Sequence, residues 1–304
     1  MRRLNEYLKS TYGCKVYKLS LSAKVTCPNR DGKIDTRGCI FCSAGGSGDF
    51  AADRVKPIAE QIEEAKARVS AKVKDGKYIA YFQSFTNTYG DVEYLREIFS
   101  EAIKPDDIVA LSIGTRPDCL SDEVLEMLSE LNRVKPVWVE LGLQTIHEET
   151  AKYIRRGYPL RVYDEAVSRL KKIGVDVIVH VILGLPGETV DDMRATVDYV
   201  VRSGADGIKL QLLHVLKGTD LCRDYEDGKF EVMDFETYVD LVSDIAVGLP
   251  DDIVVHRLTG DGPKKLLVAP LWSGDKKRVL NAVNKAIREK EEGRFGKADK
   301  GEKR

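Results

Sequence analysis

The chain has 304 residues and a mass of 34.0 kDa, enough for one large domain or two ordinary ones with a substantial core. Hydrophobic residues make up 43% and charged residues 32%, a composition that excludes an intrinsically disordered chain. The 48 Lys and Arg nearly balance the 49 Asp and Glu, which excludes a uniformly basic nucleic-acid binder and leaves room for a local basic patch.

The amino terminus, MRRLNEYLKS, lacks the apolar core of a secretory signal. The longest apolar run, VDVIVHVILGLPG, contains Asp176 and His180 and is too short to cross a bilayer. We therefore expect a cytoplasmic protein with no membrane partner. In a reducing compartment, the six cysteines indicate a metal site or catalysis rather than disulfide bonds.

Short apolar runs alternate with helical patterns through most of the chain. The strand-like runs are 15–21, 78–82, 108–113, 137–143, 175–183 and 207–213. The segments with helical spacing are 57–74, 91–102, 122–132, 148–155, 163–173 and 191–203. Ser121 and Thr189 are typical helix N-caps. Strands rich in Val, Ile and Leu between helices predict an α/β fold with a parallel sheet, and we favour a partial (β/α)6 TIM-like barrel over a doubly wound sheet.

Beyond residue 216 the pattern changes. It predicts a helix over 234–247, short strands over 253–258 and 266–269, and a charged amphipathic helix over 275–292. Residues 274–304 contain 11 Lys and Arg against 6 Asp and Glu, a net charge of +5. We predict a barrel over 1–215, a small α/β extension packed on it over 216–274, and a basic helix with a frayed tail over 275–304.

Three cysteines directly after the first predicted strand form the strongest signal. Eleven residues separate Cys27 from Cys39, and two separate Cys39 from Cys42. Two cysteines at that short spacing can face one metal, and three thiolates suit zinc or an iron–sulfur cluster. Most four-iron clusters take four cysteines, so a site with three leaves one iron open. The cysteines alone leave open a zinc knot, with Cys14 or Cys119 as fourth ligand, and free thiols.

Polar turns follow the later predicted strands. They are FQSFTNTY (82–89), GTRPDCL (114–120), ELGLQT (140–145) and GLPGET (184–189). In a barrel of parallel strands these turns share the carboxyl-end face, where the active sites of such folds lie. The turns and the cysteine loop therefore predict one contiguous site, which a zinc knot would not need.

Taken together, this arrangement resembles the radical S-adenosylmethionine (SAM) superfamily. It is most similar to the YhcC/YtqA-like radical SAM proteins, which are relatives of the catalytic subunit of Elongator. The similar segments, in chain order, are CPNRDGKIDTRGCIFC, YFQSFTNTY, GTRPDCL, ELGLQT, RRGY, GLPGE, GIKLQLLHVLKGT, VVHRLTGDGP and LLVAPLW. They cover about residues 5–272.

The resemblance implies that Cys27, Cys39 and Cys42 hold a [4Fe–4S] cluster whose fourth iron is chelated by SAM. The reduced cluster would cleave SAM to methionine and a 5′-deoxyadenosyl radical, which abstracts hydrogen from the substrate. An electron donor such as flavodoxin or ferredoxin would supply the electron. The cysteines interpreted as bystanders are Cys14, Cys119 and Cys222.

The resemblance also implies the residues that bind SAM. Gln83 and Ser84 correspond to the site of the amino group, and Gln144 and Thr145 to the site of the ribose. Arg156 would pair with the carboxylate. The adenine site would comprise Gly184, Leu185, Glu188 and Leu212. Without the resemblance, simpler interpretations stay open. Gln83 could cap its strand without binding a ligand, Arg156 could be a surface charge, and the glycine-rich turn could be an ordinary strand-to-helix connection.

Four further residues are candidate catalytic groups because they should crowd the open barrel mouth. They are His180, Lys209, His214 and Lys217, with a role in substrate binding or proton transfer. Gln211 stands where the resembled relatives have histidine, so we assign no general acid to this position. Arg116 and Asp118 are interpreted as bracing the loop after the third strand.

The function that the resemblance implies is tRNA modification at the side chain of the wobble uridine. The basic segment 276–304 would then contact phosphates. No acetyltransferase domain follows the barrel, which argues against carboxymethylation dependent on acetyl-CoA. Two alternatives stay open: a radical SAM enzyme that acts on a small molecule or peptide, and a non-catalytic binding module stabilised by zinc.

Overall fold

The computed structural model describes residues 1–46, 51–72, 76–260 and 262–301, without the side chains of residues 72 and 294–301. Three predicted features fall partly outside these residues. They are the end of the helix predicted over 57–74, Asp261 of the VVHRLTGDGP segment, and residues 302–304 of the predicted tail.

An eight-stranded parallel sheet, curled into a partial barrel, forms the centre of the fold. The strands of the chain are β1 (Arg2–Arg3), β2 (Val16–Leu21), β3 (Lys77–Phe82), β4 (Ile108–Thr115), β5 (Val137–Gln144), β6 (Asp176–Leu183), β7 (Gly207–Leu212), β8 (Val215–Leu216), β9 (Val254–Arg257) and β10 (Leu267–Ala269). In the large sheet they run in the order β1-β9-β7-β6-β5-β4-β3-β2. The predicted α/β partial barrel is confirmed.

The sheet extends beyond the six predicted strands. β9, from the segment predicted as an extension, pairs in parallel with β7, and β1 pairs in parallel with β9. β8 and β10 form a separate antiparallel pair. The boundary at residue 215 stays a prediction, although part of the later segment completes the main sheet.

Helices connect the strands and cover the sheet. They are α1 (Leu4–Tyr12), α2 (Ile58–Val69), α3 (Val92–Ile103), α4 (Asp122–Val134), α5 (Glu148–Tyr153), α6 (Leu160–Lys172), α7 (Val190–Arg202), α8 (Asp220–Glu226), α9 (Phe235–Gly248) and α10 (Lys276–Gly301). The predicted N-caps form, because the hydroxyls of Ser121 and Thr189 accept backbone N–H bonds from Val124 and Asp192. None of the described helices combines the length and apolar character needed to cross a membrane.

The barrel is closed at the end where its strands begin. Leu8 of α1 belongs to a buried cluster whose other members lie near the starts of strands, namely Val16, Ile79, Ala110, Trp138 and Ile178. Apolar packing at this end leaves the opposite, carboxyl end of the strands for a site.

The last helix is attached to the body of the protein along its first half. Val279, Val283 and Ile287 of α10 are buried in the main core. Lys290 Nζ lies 2.6 Å from Asp240 Oδ1 and 2.5 Å from Asp244 Oδ1 of α9. The predicted amphipathic helix therefore packs one face on α9.

Candidate active site

A cavity of about 420 Å³ lies at the carboxyl ends of the strands. Many predicted site residues line it, in particular Cys27, Cys39, Cys42, Gln83, Gln144, Arg156, His180, Leu212 and His214. The three clustered cysteines and the ends of four strands thus meet in one place.

The loop with the cysteines is held by its own backbone and by one arginine. The N–H of Arg30 donates to the Cys27 carbonyl at 2.8 Å, and the N–H of Cys42 donates to the Cys39 carbonyl at 3.0 Å. Arg30 Nη2 donates to the carbonyls of Ser43 at 2.6 Å and Cys42 at 3.2 Å. This guanidinium therefore ties the start of the loop to its end.

Cys39 is surrounded by an amide donor and by groups that bury its thiol. Asn29 Nδ2 lies 3.5 Å from Cys39 Sγ and donates to the Arg155 carbonyl at 2.7 Å. Burial, with a smaller effect of neighbouring Cys42, raises the pKa of the Cys39 thiol to about 12, against the opposing influence of Arg116 and Asn29. Metal binding at Cys39 must therefore displace a proton, and the Asn29 amide can then stabilise the thiolate.

The donor set fits an iron–sulfur cluster. All six cysteines are free thiols, three of them on this cavity wall. Among the described residues, no three His, Cys, Asp or Glu side chains are arranged to hold a metal ion. Thiolates of a four-iron cluster each bind a different iron, so they need not converge on one point.

Gln144 shows that the cavity is shaped for a polar ligand. It ends β5 at an irregularity in the pairing with β6 and has a φ of 70°, which is strained for a residue with a side chain. Gly142 leaves room for it, because a Cβ there would lie 2.9 Å from Gln144 Nε2. Its buried Oε1 has no hydrogen-bond partner among the described residues. A hydroxyl of a ligand, such as a ribose, would satisfy this acceptor.

Backbone strain recurs around the same cavity. Phe85, with a φ of 62°, lines it after β3, and Arg155, with a φ of 57°, supplies the carbonyl that holds Asn29. With Gln144, these are the non-glycine residues with positive φ in the described chain. Such strain is typical of functional sites.

Two residues predicted to bind SAM lie behind the cavity wall. Ser84 is buried, with its Oγ 3.1 Å from Ser22 Oγ, whereas its neighbour Gln83 lines the cavity. Thr145 is fully buried and donates to Glu188 Oε1 at 2.5 Å. Burial raises the pKa of Glu188. The Thr145–Glu188 contact links the turn after β5 to the turn after β6.

Arg156 lines the cavity, but its donors are already occupied. Its Nε donates to the Tyr158 carbonyl at 3.0 Å, and Nη1 donates to the Thr145 carbonyl at 2.5 Å. Its Nη2 lies 3.3 Å from Glu148 Oε1. In this arrangement Arg156 fixes the turn after β5, and pairing with a SAM carboxylate stays a prediction.

The predicted adenine segment is divided between the wall and the layer behind it. Leu212 lines the cavity together with Ile182 and Leu213. Leu185 is 2% exposed and packs in the same apolar cluster as Ile182. Gly184 has a φ of 83°, which a residue with a side chain rarely adopts. The wall is therefore apolar here, as an adenine site requires.

The sequence interpretation missed the centre of the site, which is Glu140. Its buried carboxylate accepts from Lys18 Nζ at 2.7 Å through Oε1 and pairs with Lys209 through Oε2. Burial opposes its ionisation, but the attraction of Lys18 and Lys209 and the hydrogen bond from His180 hold the pKa of Glu140 well below its usual range. Charged residues inside otherwise apolar strands are the signal that could have identified this network.

His180 joins this network as a neutral base. Its Nε2 lies 2.8 Å from Glu140 Oε2, and its Nδ1 lies 3.0 Å from Gln211 Nε2. Burial and the charge of Lys209 lower the pKa of His180 to about 4, although Glu140 opposes the shift. We assign the proton of the neutral ring to Nε2, since Glu140 accepts it and the Gln211 amide donates to Nδ1.

The other candidate catalytic residues occupy three different positions. Lys209 Nζ is buried below the cavity and lies 3.0 Å from Tyr81 Oη. His214 lines the cavity against Gly260 and Gly262, where an added Cβ would come within 3.3 and 3.2 Å of its ring. Lys217 is exposed and is not part of the described cavity wall. Of the four residues predicted to crowd the barrel mouth, His180, Lys209 and His214 thus lie at or just below the cavity, and Lys217 does not.

Comparison with known protein families identifies the superfamily of this chain. The model of the Radical SAM superfamily matches residues 36–200, more than half of the chain. The chain belongs to the radical SAM superfamily. The Radical SAM C-terminal domain matches residues 205–289.

The similar proteins include two bacterial ones of nearly the same extent. YtqA of Bacillus subtilis (strain 168) is 49% identical over 284 residues, which are 93% of this chain and 88% of YtqA. YhcC of Escherichia coli (strain K12) is 38% identical over 266 residues, which are 87% of this chain and 85% of YhcC. The predicted YhcC/YtqA-like family is confirmed.

More distant similarity reaches archaeal proteins. A tRNA uridine(34) acetyltransferase of Methanocaldococcus infernus is 27% identical over 163 residues, which are 53% of this chain and 30% of that protein. The solved structure of Methanocaldococcus infernus Elp3, lacking its first residues, superposes with a TM-score of 0.65 and 20% identity over 83% of this chain and 58% of that one. At this identity, the superposition concerns the fold alone.

Proposed function

We propose that this chain is a radical SAM enzyme in which Cys27, Cys39 and Cys42 hold a [4Fe–4S] cluster beside bound SAM. The observation that carries the proposal is that these thiols and the unsatisfied Gln144 amide line one cavity of a radical SAM barrel. When bound, the reduced cluster supplies the electron that cleaves SAM to methionine and a 5′-deoxyadenosyl radical for hydrogen abstraction.

The residues of this chain would bind the cofactors and keep water away. Asn29 would stabilise the Cys39 thiolate, and Gln144 Oε1 would accept a hydrogen bond from the nucleoside part of SAM. Ile182, Leu212 and Leu213 form an apolar wall, while α1 seals the far end of the barrel. Exclusion of water from such a site protects a reactive intermediate from side reactions.

Anaerobic reconstitution with iron and sulfide tests this proposal. The protein should acquire the broad visible absorbance of an iron–sulfur cluster and release 5′-deoxyadenosine when reduced with SAM. Alanine variants of Cys27, Cys39 and Cys42 should lose both properties, whereas Cys14→Ala and Cys119→Ala should keep them. A colourless protein that retains zinc would overturn the proposal.

For the substrate, we propose the side chain of the wobble uridine in tRNA. The supports are the distant similarity to a tRNA uridine(34) acetyltransferase and the net charge of +5 over residues 274–304. Mass spectrometry of tRNA nucleosides from cells with and without the gene tests it, because a tRNA-modifying enzyme leaves a modified uridine that disappears on deletion. Identical nucleoside profiles would argue for a small molecule or peptide instead.

We further propose that a flavodoxin or ferredoxin supplies the electron. Such a protein should replace a chemical reductant in the 5′-deoxyadenosine assay. Failure of both proteins to support turnover, in a preparation that dithionite activates, would contradict this.

A further inference from the structure

We propose that the floor of the cavity binds an oxyanion of the substrate, a carboxylate or a phosphate, through Arg257. This proposal rests on the proposed radical SAM function, because it assigns the substrate side of the same cavity. It does not depend on which nucleoside, peptide or small molecule carries the oxyanion.

A β-bulge directs Arg257 into the cavity. Ile208 pairs with Val255 and Lys209 pairs with Arg257, so His256 is the extra residue of β9. As a result, two consecutive side chains face the barrel interior: the His256 ring lies 5.4 Å from the Trp138 ring, and Arg257 lines the cavity. Bulges of this kind often re-aim a side chain beside an active site.

Arg257 has no hydrogen-bond or ion-pair partner among the described residues, unlike the other arginines of the cavity wall. Arg30 and Arg156 donate to backbone carbonyls, and Arg116 pairs with Asp118 at 2.8 Å. A guanidinium carries five N–H donors and keeps its charge at all physiological pH values. The donors of Arg257 are thus available to a ligand.

The charges around Arg257 leave an excess of positive charge. Glu140 is the one carboxylate on the described cavity wall, and it is shared by Lys18 and Lys209. Even if the deeply buried Lys209 is neutral, Lys18 and Arg257 together exceed Glu140 by one positive charge. A ligand with one negative charge would restore neutrality, and the guanidinium fork matches the two oxygens of a carboxylate or phosphate.

The position of Arg257 separates it from the residues assigned to the cofactors. Arg257 pairs with Lys209 of β7, and Lys209 pairs with His180 of β6. Arg257 is therefore at the same height in the barrel as His180, in the middle of β6. The cysteines and Gln144 lie instead in the loop after β2 and at the end of β5. The oxyanion would therefore bind deeper in the barrel than SAM, on the substrate side.

Anion titration of the anaerobic, cluster-loaded protein with SAM present tests this proposal. Inorganic phosphate and acetate are the probes, and calorimetry and the shift of the unfolding temperature are the readouts. We expect Arg257→Gln to weaken binding of the preferred anion at least about tenfold, equivalent to about 1.4 kcal/mol. Arg257→Lys should retain part of the affinity, and Arg68→Gln on the exposed face of α2 should leave it unchanged.

The outcomes are distinct. Binding of phosphate or acetate by the wild-type protein that is weakened in Arg257→Gln supports the proposal. Equal anion affinity of the wild-type protein and Arg257→Gln, or no anion binding by the wild-type protein, overturns the proposal. Cluster absorbance and substrate-free release of 5′-deoxyadenosine, measured on the same samples, report on the radical SAM function itself. If Arg257→Gln does not fold, the comparison of Arg257→Lys with the wild-type protein decides.

Discussion

Glu140 shows how a single carboxylate organises the charges inside the barrel. It contacts Lys18 of β2, Ser112 of β4, His180 of β6 and Lys209 of β7, so it links strands on both sides of its own. Its side chain is 0% exposed, and water therefore cannot replace these contacts. A buried charge of this kind is tolerated because each oxygen accepts from two donors, Lys18 and Ser112 on Oε1 and His180 and Lys209 on Oε2.

Replacing this carboxylate should strongly destabilise the protein. Glu140→Gln leaves Lys18 and Lys209 without their anion, and breaking a buried ion pair costs about 3–5 kcal/mol. Unfolding midpoints in urea measure the loss. Adding Lys209→Met to the variant should recover part of it, and Glu149→Gln on the exposed face of α5 should have little effect. Equal stability of Glu140→Gln and the wild-type protein would contradict this account.

His180 should make stability depend on pH. Its pKa is about 4 in the folded chain, against about 6.5 when unfolded. As the pH falls through this window, the unfolded chain takes up a proton that the folded chain does not, so stability declines. From about pH 7.5 to about pH 5.5 the wild-type protein should lose about 1 kcal/mol more than His180→Gln. Parallel pH dependence of the two proteins would show that His180 does not titrate in this way.

At the scale of elements, the end of β5 places a strained residue, Gln144, on the cavity wall. Gln144→Gly removes both the left-handed strain and the amide, whereas Gln144→Ala removes only the amide. We expect Gln144→Gly to stabilise the chain by about 1 kcal/mol, Gln144→Ala not to do so, and both to weaken SAM binding. Thermal unfolding and calorimetry with SAM measure the two effects. Unchanged SAM affinity in both variants would remove Gln144 from the cofactor site.

The sequence predicts most of the sheet because local patterns determine it. Runs of Val, Ile and Leu mark β2 to β7, and the N-caps Ser121 and Thr189 mark where α4 and α7 begin. The two-residue β1 carries no such pattern, since its pairing depends on β9, about 250 residues away in sequence. The bulge at His256 is likewise invisible in sequence, because it exists only in the register of β9 against β7.

The site also divides into residues marked by local sequence patterns and residues whose role depends on distant contacts. Cys27, Cys39, Cys42 and Gln144 could be predicted from motifs that recur at fixed places in a family. Glu140 is visible in the sequence as a charge inside an apolar strand, but no role could be assigned to it or to Arg257, because their importance comes from partners on other strands or from the lack of them. Tertiary contacts thus create the charged part of the cavity wall.

At the scale of the whole molecule, charge is distributed unevenly. The chain has a net charge of −1, while residues 274–304 carry +5, so the remaining residues carry −6. The buried anchors of α10, Val279, Val283 and Ile287, all precede residue 294. The positive charge of the last residues can therefore be removed without removing the buried residues that attach α10 to the body of the protein.

Deleting residues 294–304 tests whether this positive charge serves tRNA binding. The deletion removes five Lys and Arg and two Asp and Glu, a net loss of +3, and leaves every buried anchor of α10 in place. We expect an unchanged unfolding temperature, weaker tRNA binding and a salt dependence of log K that is shallower by up to about 4.5, since each of the five removed Lys and Arg can contact one phosphate and each lost contact reduces the slope by about 0.9. Val283→Asp is the opposite control, because it should lower the unfolding temperature by placing a charge in the core. An identical tRNA affinity and salt slope in the deletion variant would place the tRNA contacts on the barrel mouth instead, where the arginines of the cavity wall lie.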